Sequence, residues 1–277
     1  MNIQDLFARK LNVPVLPVAV GKSPIDDRPV MASVLLNTIP ATFGSGNIGR
    51  LAVNIIANEL LAAGADPRYL SGTVTIDIDT SPDIIEEVAD ALCDAAVQAQ
   101  MEWATADTIL KPSGPSTGIA ISLFGVGSHI THVTLESNCP RPGDSIIITG
   151  PIGATGAAIH GAGEGVEVIS DCDGRPLTDV MRAVNDRSFN PTAVYFPVRG
   201  INSALNALGI KADIDRKAVP VDGVVASACG IMGVDPLDLA TSSAMLICVA
   251  AKDAGALVEA IRRNDGGDRA AIIGTVK

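Results

Sequence analysis

Hydrophobic and polar residues alternate in patterns that predict helices and strands following one another through the first half of the chain. Thr73–Asp79 has the two-residue period of a half-buried strand, and residues 30–36 and 118–126 are predicted as further strands. Ser81-Pro82-Asp83 combines a capping residue, a proline at the first helical position and an acid in the first turn, which predicts a helix start. That helix would bury one apolar stripe, made of Ile84, Val88, Leu92, Ala95 and Ala99.

A second helix, predicted from about Arg50 to Ala63, is apolar around nearly its whole circumference. This pattern is typical of a helix buried on all sides, and Gly64 is placed to end it in a left-handed conformation. The polar exceptions are Asn54, Asn58 and Glu59. The two asparagines are four positions apart and therefore share one face of the helix.

The second half of the chain repeats this mixture of elements. Helices are predicted at 176–185, 198–208, 223–232 and 253–263, and strands at 145–149, 244–250 and 272–276. Between the halves, a strand at 130–135 leads into residues 138–143, a segment with two prolines and a glycine that we interpret as a linker. The sequence thus predicts an α/β (α+β) protein of two domains, residues 1–138 and 139–277, with an irregular stretch over the first 30 residues.

The composition and net charge argue against several classes of function. The 277 residues are 47% hydrophobic but only 18% charged and 3% aromatic, which favours an aliphatic core and further apolar surface covered in a homodimer. The net charge of −11, with no basic run, argues against nucleic-acid binding. No apolar stretch is long enough for a membrane span, and residues 1–10 lack the pattern of a signal peptide. Five scattered cysteines favour reduced thiols in the cytoplasm.

The glycine-rich loop before the buried helix is a candidate anion site. Gly44, Gly46, Asn47 and Gly49 lie where free backbone N–H groups and a helix N-terminus could bind phosphate. The spacing matches neither the P-loop nor the dinucleotide fingerprint, and a tight structural turn is an alternative interpretation.

Two acids are candidate ligands for a hard cation such as Mg²⁺. Asn58 and Glu59 are polar residues in a helix that is otherwise buried, and burying such groups is costly unless they are paired or bind a ligand. Asp107 is predicted at the end of an apolar strand, where a carboxylate can bind a metal ion or cap a turn. A core ion pair for Glu59 and a turn cap for Asp107 are the structural alternatives.

The order of several motifs resembles one known family. The motifs are Gly44-Ser45-Gly46-Asn47-Ile48-Gly49-Arg50-Leu51-Ala52, Ala57-Asn58-Glu59, Gly64-Ala65-Asp66-Pro67-Arg68-Tyr69-Leu70-Ser71, Thr105-Ala106-Asp107-Thr108, Val168-Ile169-Ser170-Asp171-Cys172 and Gly233-Val234-Asp235-Pro236-Leu237. This order is similar to that of the hydrogenase-maturation proteins of the HypE family, within the PurM-like superfamily of aminoimidazole ribonucleotide synthetase. The resemblance extends from about residue 30 to the end of the sequence.

The resemblance implies a two-domain PurM-like fold whose N-terminal strands form a barrel across a homodimer. It implies ATP bound near Gly44, Gly46, Asn47, Gly49 and Asn58, with Mg²⁺ held by Glu59 and Asp107. Thr149–Gly153 would be a second, glycine-rich phosphate turn. The implied activity is phosphoryl transfer to, or dehydration of, a small oxygen acceptor, with a small-molecule substrate or a maturation protein as partner.

The sequence also departs from the family pattern at positions that bear on catalysis. The Asp-x-x-Arg-Gly-Gly element is represented by Phe196–Ile201, and the acidic stretch before the penultimate strand by Thr241–Ser243, so carboxylates are lost. No cysteine stands at the end of the printed sequence, where the family carries out its cyanation chemistry. The alternative function is therefore a homodimeric scaffold or binding protein without catalysis, for example in metalloenzyme maturation.

Overall fold

The computed structural model describes residues 29–114, 118–129 and 139–277, which form two β-sheets, a short hairpin and the helices that cover them. The strands are β1 (Pro29–Leu36), β2 (Thr42–Phe43), β3 (Gly46–Asn47), β4 (Ala65–Asp77), β5 (Glu102–Lys111), β6 (Ile119–His129), β7 (Ser145–Ile148), β8 (Pro191–Tyr195), β9 (Ala212–Ile214), β10 (Leu246–Val249) and β11 (Ala271–Val276). The helices are α1 (Ile48–Ala62), α2 (Pro82–Gln98), α3 (Ala154–Glu164), α4 (Thr178–Val184), α5 (Ile201–Ala207), α6 (Gly223–Met232) and α7 (Ala251–Arg262), with a 3₁₀ turn at Pro236–Asp238.

The N-terminal sheet has the strand order β1-β6-β4-β5, in which β4 and β5 are parallel and the other neighbours are antiparallel. Helix α1 packs closely on one face, because β6 carries Gly125 where a Cβ would collide with Ile56. The buried side chains of β6, such as Leu123, point to this face. Since side chains alternate along a strand, the residues between them point to the opposite, open face.

The C-terminal sheet is antiparallel throughout, with the strand order β8-β10-β7-β11-β9. Its central strand β7 is buried on both faces, which explains its continuous apolar sequence. Ile147 joins the core that the two halves share, whereas Ile146 and Ile148 join a second cluster with α5. The shared core extends from α1 to α4 and α7, so the two halves pack directly against each other.

The structure confirms the predicted mixed class and most of the predicted elements. Ser81 is the N-cap of α2 and Pro82 its first residue, and Gly64 has the expected positive φ of 74° just beyond α1. Helix α6 has the predicted bounds, and Gly233 ends it with φ 67°. These signals are local, since they depend on dihedral preferences and on neighbouring residues, which is why the sequence was sufficient.

Other elements differ from the prediction. Strand β4 begins at Ala65, eight residues before the predicted strand. Its first half pairs with β6 although its sequence does not alternate between polar and apolar residues. Helix α3 begins at Ala154, directly after the predicted glycine-rich turn, and neither this helix nor strands β8 and β9 were predicted. The predicted strand at 130–135 and the irregular first 28 residues lie outside the described residues, so the domain limits stay a prediction. No helix in the described ranges is both long and apolar enough for a membrane span.

Candidate functional site at the domain junction

The glycine-rich loop is a hairpin, β2 to β3, that leads directly into α1. Gly44 has φ 55°, and a Cβ there would collide with the backbone carbonyl of Val168 in the second half of the chain. Gly46 faces the ring of Phe43, which a Cβ would approach within 2.7 Å. These glycines therefore allow the loop to pack tightly onto the C-terminal half, in agreement with the structural alternative.

Asn47 and Gly49 form the start of α1. The side-chain oxygen of Asn47 accepts a hydrogen bond from the backbone N–H of Gly49 at 2.7 Å, which caps the helix. The backbone N–H of Asn47 donates to the Asp173 carboxylate at 3.0 Å, and the Arg50 Nε lies 3.5 Å from the same carboxylate. The predicted anion-binding loop thus contacts an anion, a carboxylate of its own chain.

Asn54 and Asn58 lie fully buried on the face of α1 that contacts the C-terminal half. The Asn54 amide donates to the carbonyls of Asp173, at 3.0 Å, and Gly174, at 2.8 Å, and its own side-chain oxygen has no hydrogen-bond partner among the described residues. The Asn58 amide donates to the carbonyls of Arg175 and Ser242, while its oxygen accepts from the backbone N–H of Leu177 at 2.9 Å. The polar groups that made α1 unusual in the sequence therefore join the two halves of the molecule.

Asn58 was predicted to contact a nucleotide, and the structure places all its polar atoms in bonds to the backbone of the C-terminal half. A nucleotide could contact the Asn58 side chain only by replacing one of these bonds. Its role in nucleotide binding stays a prediction, whereas its role in joining the two halves is observed.

The two predicted metal ligands do not lie together in one site within the chain. Glu59 is half-buried on α1, and burial raises the pKa of its carboxyl group because the charged form is desolvated. Asp107 is exposed and lies in the middle of β5, so its prediction at a strand end was wrong. Its partner across β4 is Thr73, which alternates with the buried Val74, so Asp107 lies on the open face, opposite α1.

This arrangement does not fit a single Mg²⁺ shared by Glu59 and Asp107 of one chain. In the described part of the chain, no three or more His, Cys, Asp or Glu side chains are grouped so that they could hold a metal ion. Each carboxylate is a separate candidate ligand, which is consistent with the preference of Mg²⁺ for one or two carboxylates together with water and phosphate.

A cavity of about 600 Å³ opens beside the start of α1, between the two halves of the molecule. Three arginines line it, and each is paired with an aspartate: Arg50 with Asp173, Arg175 with Asp171 and Arg182 with Asp179. Further lining residues are Gln98, Gln100, Gly174, Pro176, Thr178 and Asp265. We call this space the larger cavity.

Asp173 has the least exposed side chain of the four aspartates that line the larger cavity. Burial raises the pKa of its carboxyl group, and the hydrogen bond from the Asn47 N–H and the charge of Arg50 act in the opposite direction. A carboxylate with a raised pKa accepts a proton more readily than an exposed one, so Asp173 has the chemistry of a general base.

A second cavity of about 220 Å³, which we call the smaller cavity, lies on the other side of Arg175 and Asp171. Its walls include Pro151 and Ala154, at the second glycine-rich turn, together with Ser170, Asp222 and Arg269. Asp222 accepts a hydrogen bond from the Ser170 hydroxyl at 3.0 Å and forms an ion pair with Arg269. The glycine-rich turn predicted at Thr149–Gly153 thus borders a polar cavity.

The charged residues that line the larger cavity were not predicted as site residues. Asp173 and Arg175 lie in a loop, where charged residues carry no periodic signal, and Arg50 and Arg182 are single charges on helices from the two halves of the chain. The available signal was the resemblance of residues 168–172 to a family motif, because that segment contains Asp171 and leads to Asp173 and Arg175.

Similar proteins share this architecture over the whole described chain. Two family models match, "AIR synthase related protein, N-terminal domain" over residues 26–129 and "AIR synthase related protein, C-terminal domain" over residues 141–277. Carbamoyl dehydratase HypE from Rhizobium leguminosarum bv. viciae is 34% identical over 245 residues, which cover 86% of this chain and 70% of that protein.

Two solved structures extend the similarity to the fold. The structure of hydrogenase maturation protein HypE in complex with ATP has 29% identity and a TM-score of 0.87, covering 99% of this chain and 85% of that one. A HypE–HypF complex matches with 26% identity and a TM-score of 0.82, covering 90% and 84% of the two chains. The protein therefore belongs to the AIR synthase related family, with the two-domain PurM-like fold and the sequence character of HypE proteins.

Proposed function

We propose that the protein uses ATP to dehydrate a carbamoyl group or to activate a similar small oxygen acceptor. The proposal is supported by the relative named as a carbamoyl dehydratase and by the similar HypE structure that contains ATP. The observation on this chain that carries it is the larger cavity, which lies beside the glycine-rich loop and is lined by three guanidinium groups and four carboxyl groups.

The larger cavity fits a nucleotide in size and chemistry. Its volume of about 600 Å³ lies within the range of roughly 300–1,000 Å³ that is usual for ligand pockets. Arginine is well suited to phosphate because its planar N–H groups bind two oxygens at once. Since each guanidinium is already paired with an aspartate, phosphate would bind by competing with those carboxylates, and Arg50 at the start of α1 is best placed to meet it.

The proposed reaction balances without an oxidant or reductant. The amide oxygen attacks the γ-phosphorus, the bond between the γ-phosphorus and the bridging oxygen breaks, and ADP leaves. The carbon–oxygen bond then breaks, and the oxygen and both amide protons leave as dihydrogen phosphate while a nitrile forms. The guanidinium groups stabilise the charge on the transferred phosphoryl group, and Asp173 accepts one amide proton and passes it to the leaving phosphate. No step is assigned to Mg²⁺, because Glu59 and Asp107 of one chain do not meet.

Nucleotide binding is tested by the Arg50→Gln variant. We expect MgATP to raise the melting temperature of the wild-type protein, since a ligand that binds only the folded state stabilises it. Arg50→Gln should weaken binding by about tenfold or more, because a charge-assisted hydrogen bond is worth roughly 1.5–3 kcal/mol. Isothermal titration calorimetry measures the affinity, with Arg263→Gln, an exposed arginine at the end of α7, as the control.

An affinity of Arg50→Gln equal to that of the wild type would remove the larger cavity from the proposal. If millimolar MgATP neither binds nor stabilises the wild-type protein, the proposed reaction is wrong, and the alternative of a scaffold that kept the fold and lost the chemistry is then favoured. In that case partner binding, rather than turnover, would be the activity to measure.

We also propose that two copies of the chain associate through the open face of the N-terminal sheet. Large apolar side chains stand exposed on this face, namely Met31 (70%), Leu35 (63%), Ile109 (49%) and Phe124 (56%). A sheet face that meets water normally carries polar residues, so this pattern favours a covered surface. The similar HypE–HypF complex supports a maturation protein as a further partner, and a cytoplasmic location stays a prediction.

Phe124→Asp tests the association. We expect the wild-type protein to elute as a dimer at micromolar concentration and the variant as a monomer, because the carboxylate would be buried unpaired at the interface. Light scattering coupled to size-exclusion chromatography measures the mass. Ile231→Asp, at a position 74% exposed on α6, is the matched control and should remain dimeric. A wild-type protein that is monomeric at these concentrations would contradict the proposal.

A further inference from the structure

The larger cavity is lined by more carboxylates than guanidinium groups. Four aspartates and three arginines face it, so its wall has an excess of one negative charge. Each of the three guanidinium groups already has a carboxylate as its partner. A phosphate group that binds an arginine of this cavity therefore replaces a carboxylate of the chain, and the way in which each carboxylate is held decides which one is replaced.

The carboxylate of Asp173 is held less tightly by its arginine than the carboxylate of Asp171 is. Asp171 contacts Arg175 through two nitrogens, and the Nε and Nη2 atoms each lie 2.9 Å from the Asp171 Oδ2 atom. The Oδ2 atom of Asp173 lies 3.5 Å from the Arg50 Nε atom. Since the strength of a hydrogen bond falls with distance, Arg50 exchanges its carboxylate for another anion more readily than Arg175 does.

The surroundings of Asp173 also oppose its negative charge. Its side chain is only 13% exposed, and burial raises the pKa of its carboxyl group, to which the like charge of Asp171 adds. Glu87 on α2 brings a further carboxylate to the same place, since it accepts a hydrogen bond from the Asn47 side chain at 3.4 Å. Only the Asn47 N–H and Arg50 are recorded as favouring the charged form from other segments.

The backbone of Asp173 is fixed, so its carboxylate can move only by rotation of the side chain. The Asn54 amide donates to the carbonyl of Asp173 at 3.0 Å and to that of Gly174 at 2.8 Å. Asn54 and Arg50 lie one turn apart on α1, which holds the guanidinium at a constant distance from this backbone. Rotation of the Asp173 side chain would leave Arg50 and the Asn47 N–H in place for another anion.

From this geometry we infer that the Asp173 carboxylate is an autoinhibitory group, which occupies the position of a nucleotide phosphate at Arg50 and the Asn47 N–H and has to rotate away before phosphate binds there. The inference rests on the proposed function for the identity of the ligand as a nucleotide. Affinity is then lower than the arginines alone would give, because binding includes the loss of both Asp173 contacts. Once rotated away from Arg50, the carboxylate is available for the proton transfer assigned to it above.

Asp173→Asn tests the inference. The amide has nearly the same size and can still accept the Asn47 hydrogen bond, but it has no charge with which to hold Arg50. We expect MgATP to bind this variant about tenfold more tightly than the wild type, the effect of removing one competing charge-assisted contact. Isothermal titration calorimetry measures the affinity, with magnesium-free pyrophosphate as a second probe that offers the phosphate groups alone. Asp173→Ser, also uncharged, should show the same gain, and a gain of affinity cannot result from a damaged fold.

Asp179→Asn is the matched control, because it makes the same charge change in the wall of the same cavity. Asp179 pairs with Arg182 within α4, where both side chains are more than half exposed. An exposed pair contributes little, so we expect a gain of less than about threefold. A gain equal to that of Asp173→Asn would show that the net charge of the cavity sets the affinity, and it would overturn the inference.

A double variant checks that the competition takes place at Arg50. In the Arg50→Gln background, Asp173→Asn should change the affinity for pyrophosphate by less than about twofold, since the contested guanidinium is absent. A full tenfold gain in that background would overturn the inference, because the Asp173 carboxylate would then act on phosphate without Arg50.

The outcomes separate the inference from the function on which it rests. If the wild type binds MgATP and both Asp173 variants bind it equally or more weakly, the inference is wrong and the proposed function stands. Stronger pyrophosphate binding by Asp173→Asn than by the wild type, with no binding of MgATP to either, would support the autoinhibitory carboxylate and contradict the use of ATP. If none of these proteins binds MgATP or pyrophosphate, both proposals are wrong.

Discussion

Replacing Asn58 by alanine is expected to cause a loss of stability of about 3 kcal/mol, because each buried group left unpaired costs roughly 1–3 kcal/mol. The Asn58 side chain bonds to three backbone groups of the C-terminal half, those of Arg175, Leu177 and Ser242, and it is fully buried. Alanine would leave the Leu177 N–H without its acceptor and two carbonyls without a donor. For a chain of this size the melting temperature should fall by roughly 10 °C.

Thermal unfolding followed by circular dichroism measures this change. Asn206→Ala is the matched control, since Asn206 is an exposed asparagine on α5, and its replacement should change stability by less than about 0.5 kcal/mol. A change of similar size in the two variants would show that the bonds between the two halves contribute little. The effect is expected without nucleotide, which separates it from a role of Asn58 in ligand binding.

Replacing Gly49 by alanine is expected to destabilise the protein by about 2–3 kcal/mol, in the range of other over-packed cores. A Cβ on Gly49 would lie 2.6 Å from the backbone oxygen of Val88 and 3.1 Å from the Leu92 side chain. Both neighbours belong to α2, and a backbone atom cannot move out of the way without shifting that helix. The two helices would have to separate where they cross.

Gly163→Ala gives a control of opposite sign. Gly163 also lies in a helix, α3, but beyond its own stretch of helix no atom of the described residues stands within 4 Å of the position that a Cβ would take. Alanine there should raise stability by roughly 0.5–1 kcal/mol, because glycine is the weaker helix former. Chemical denaturation of both variants measures the difference, and a neutral Gly49→Ala would show that its role is not in helix packing.

These two residues show how far the sequence alone describes the candidate site. Asn58 and Gly49 were singled out from their unusual positions in an apolar helix and in a glycine-rich loop; Asn58 lies at the junction of the two halves, and Gly49 lies where α1 crosses α2. Their packing roles could not be read from the sequence, because the contacting groups are backbone atoms of Leu177 and Val88. The type of a residue does not reveal which other residues its backbone atoms contact.

For the two candidate metal ligands, the sequence could not decide whether their side chains meet. Glu59 was noted as a polar residue in an apolar helix and Asp107 as an acid at the end of an apolar strand, but a shared ion requires that their side chains face each other. That condition depends on which face of β5 Asp107 occupies and on which face of the sheet α1, the helix that carries Glu59, covers. Since a shift of one residue reverses the face of every side chain in a strand, the sequence could not decide it.

The sequence by itself determined the mixed α/β class, the buried character of α1, the ends of α1 and α6 at glycines, and the family to which the chain belongs. These properties follow from local dihedral preferences, from periodicity and from the order of motifs along the chain. The tertiary structure decided where the charged groups lie. It brought Arg50 from the first half beside Asp173 from the second and placed Arg175 between two cavities, because such contacts depend on how distant segments pack rather than on what either segment contains.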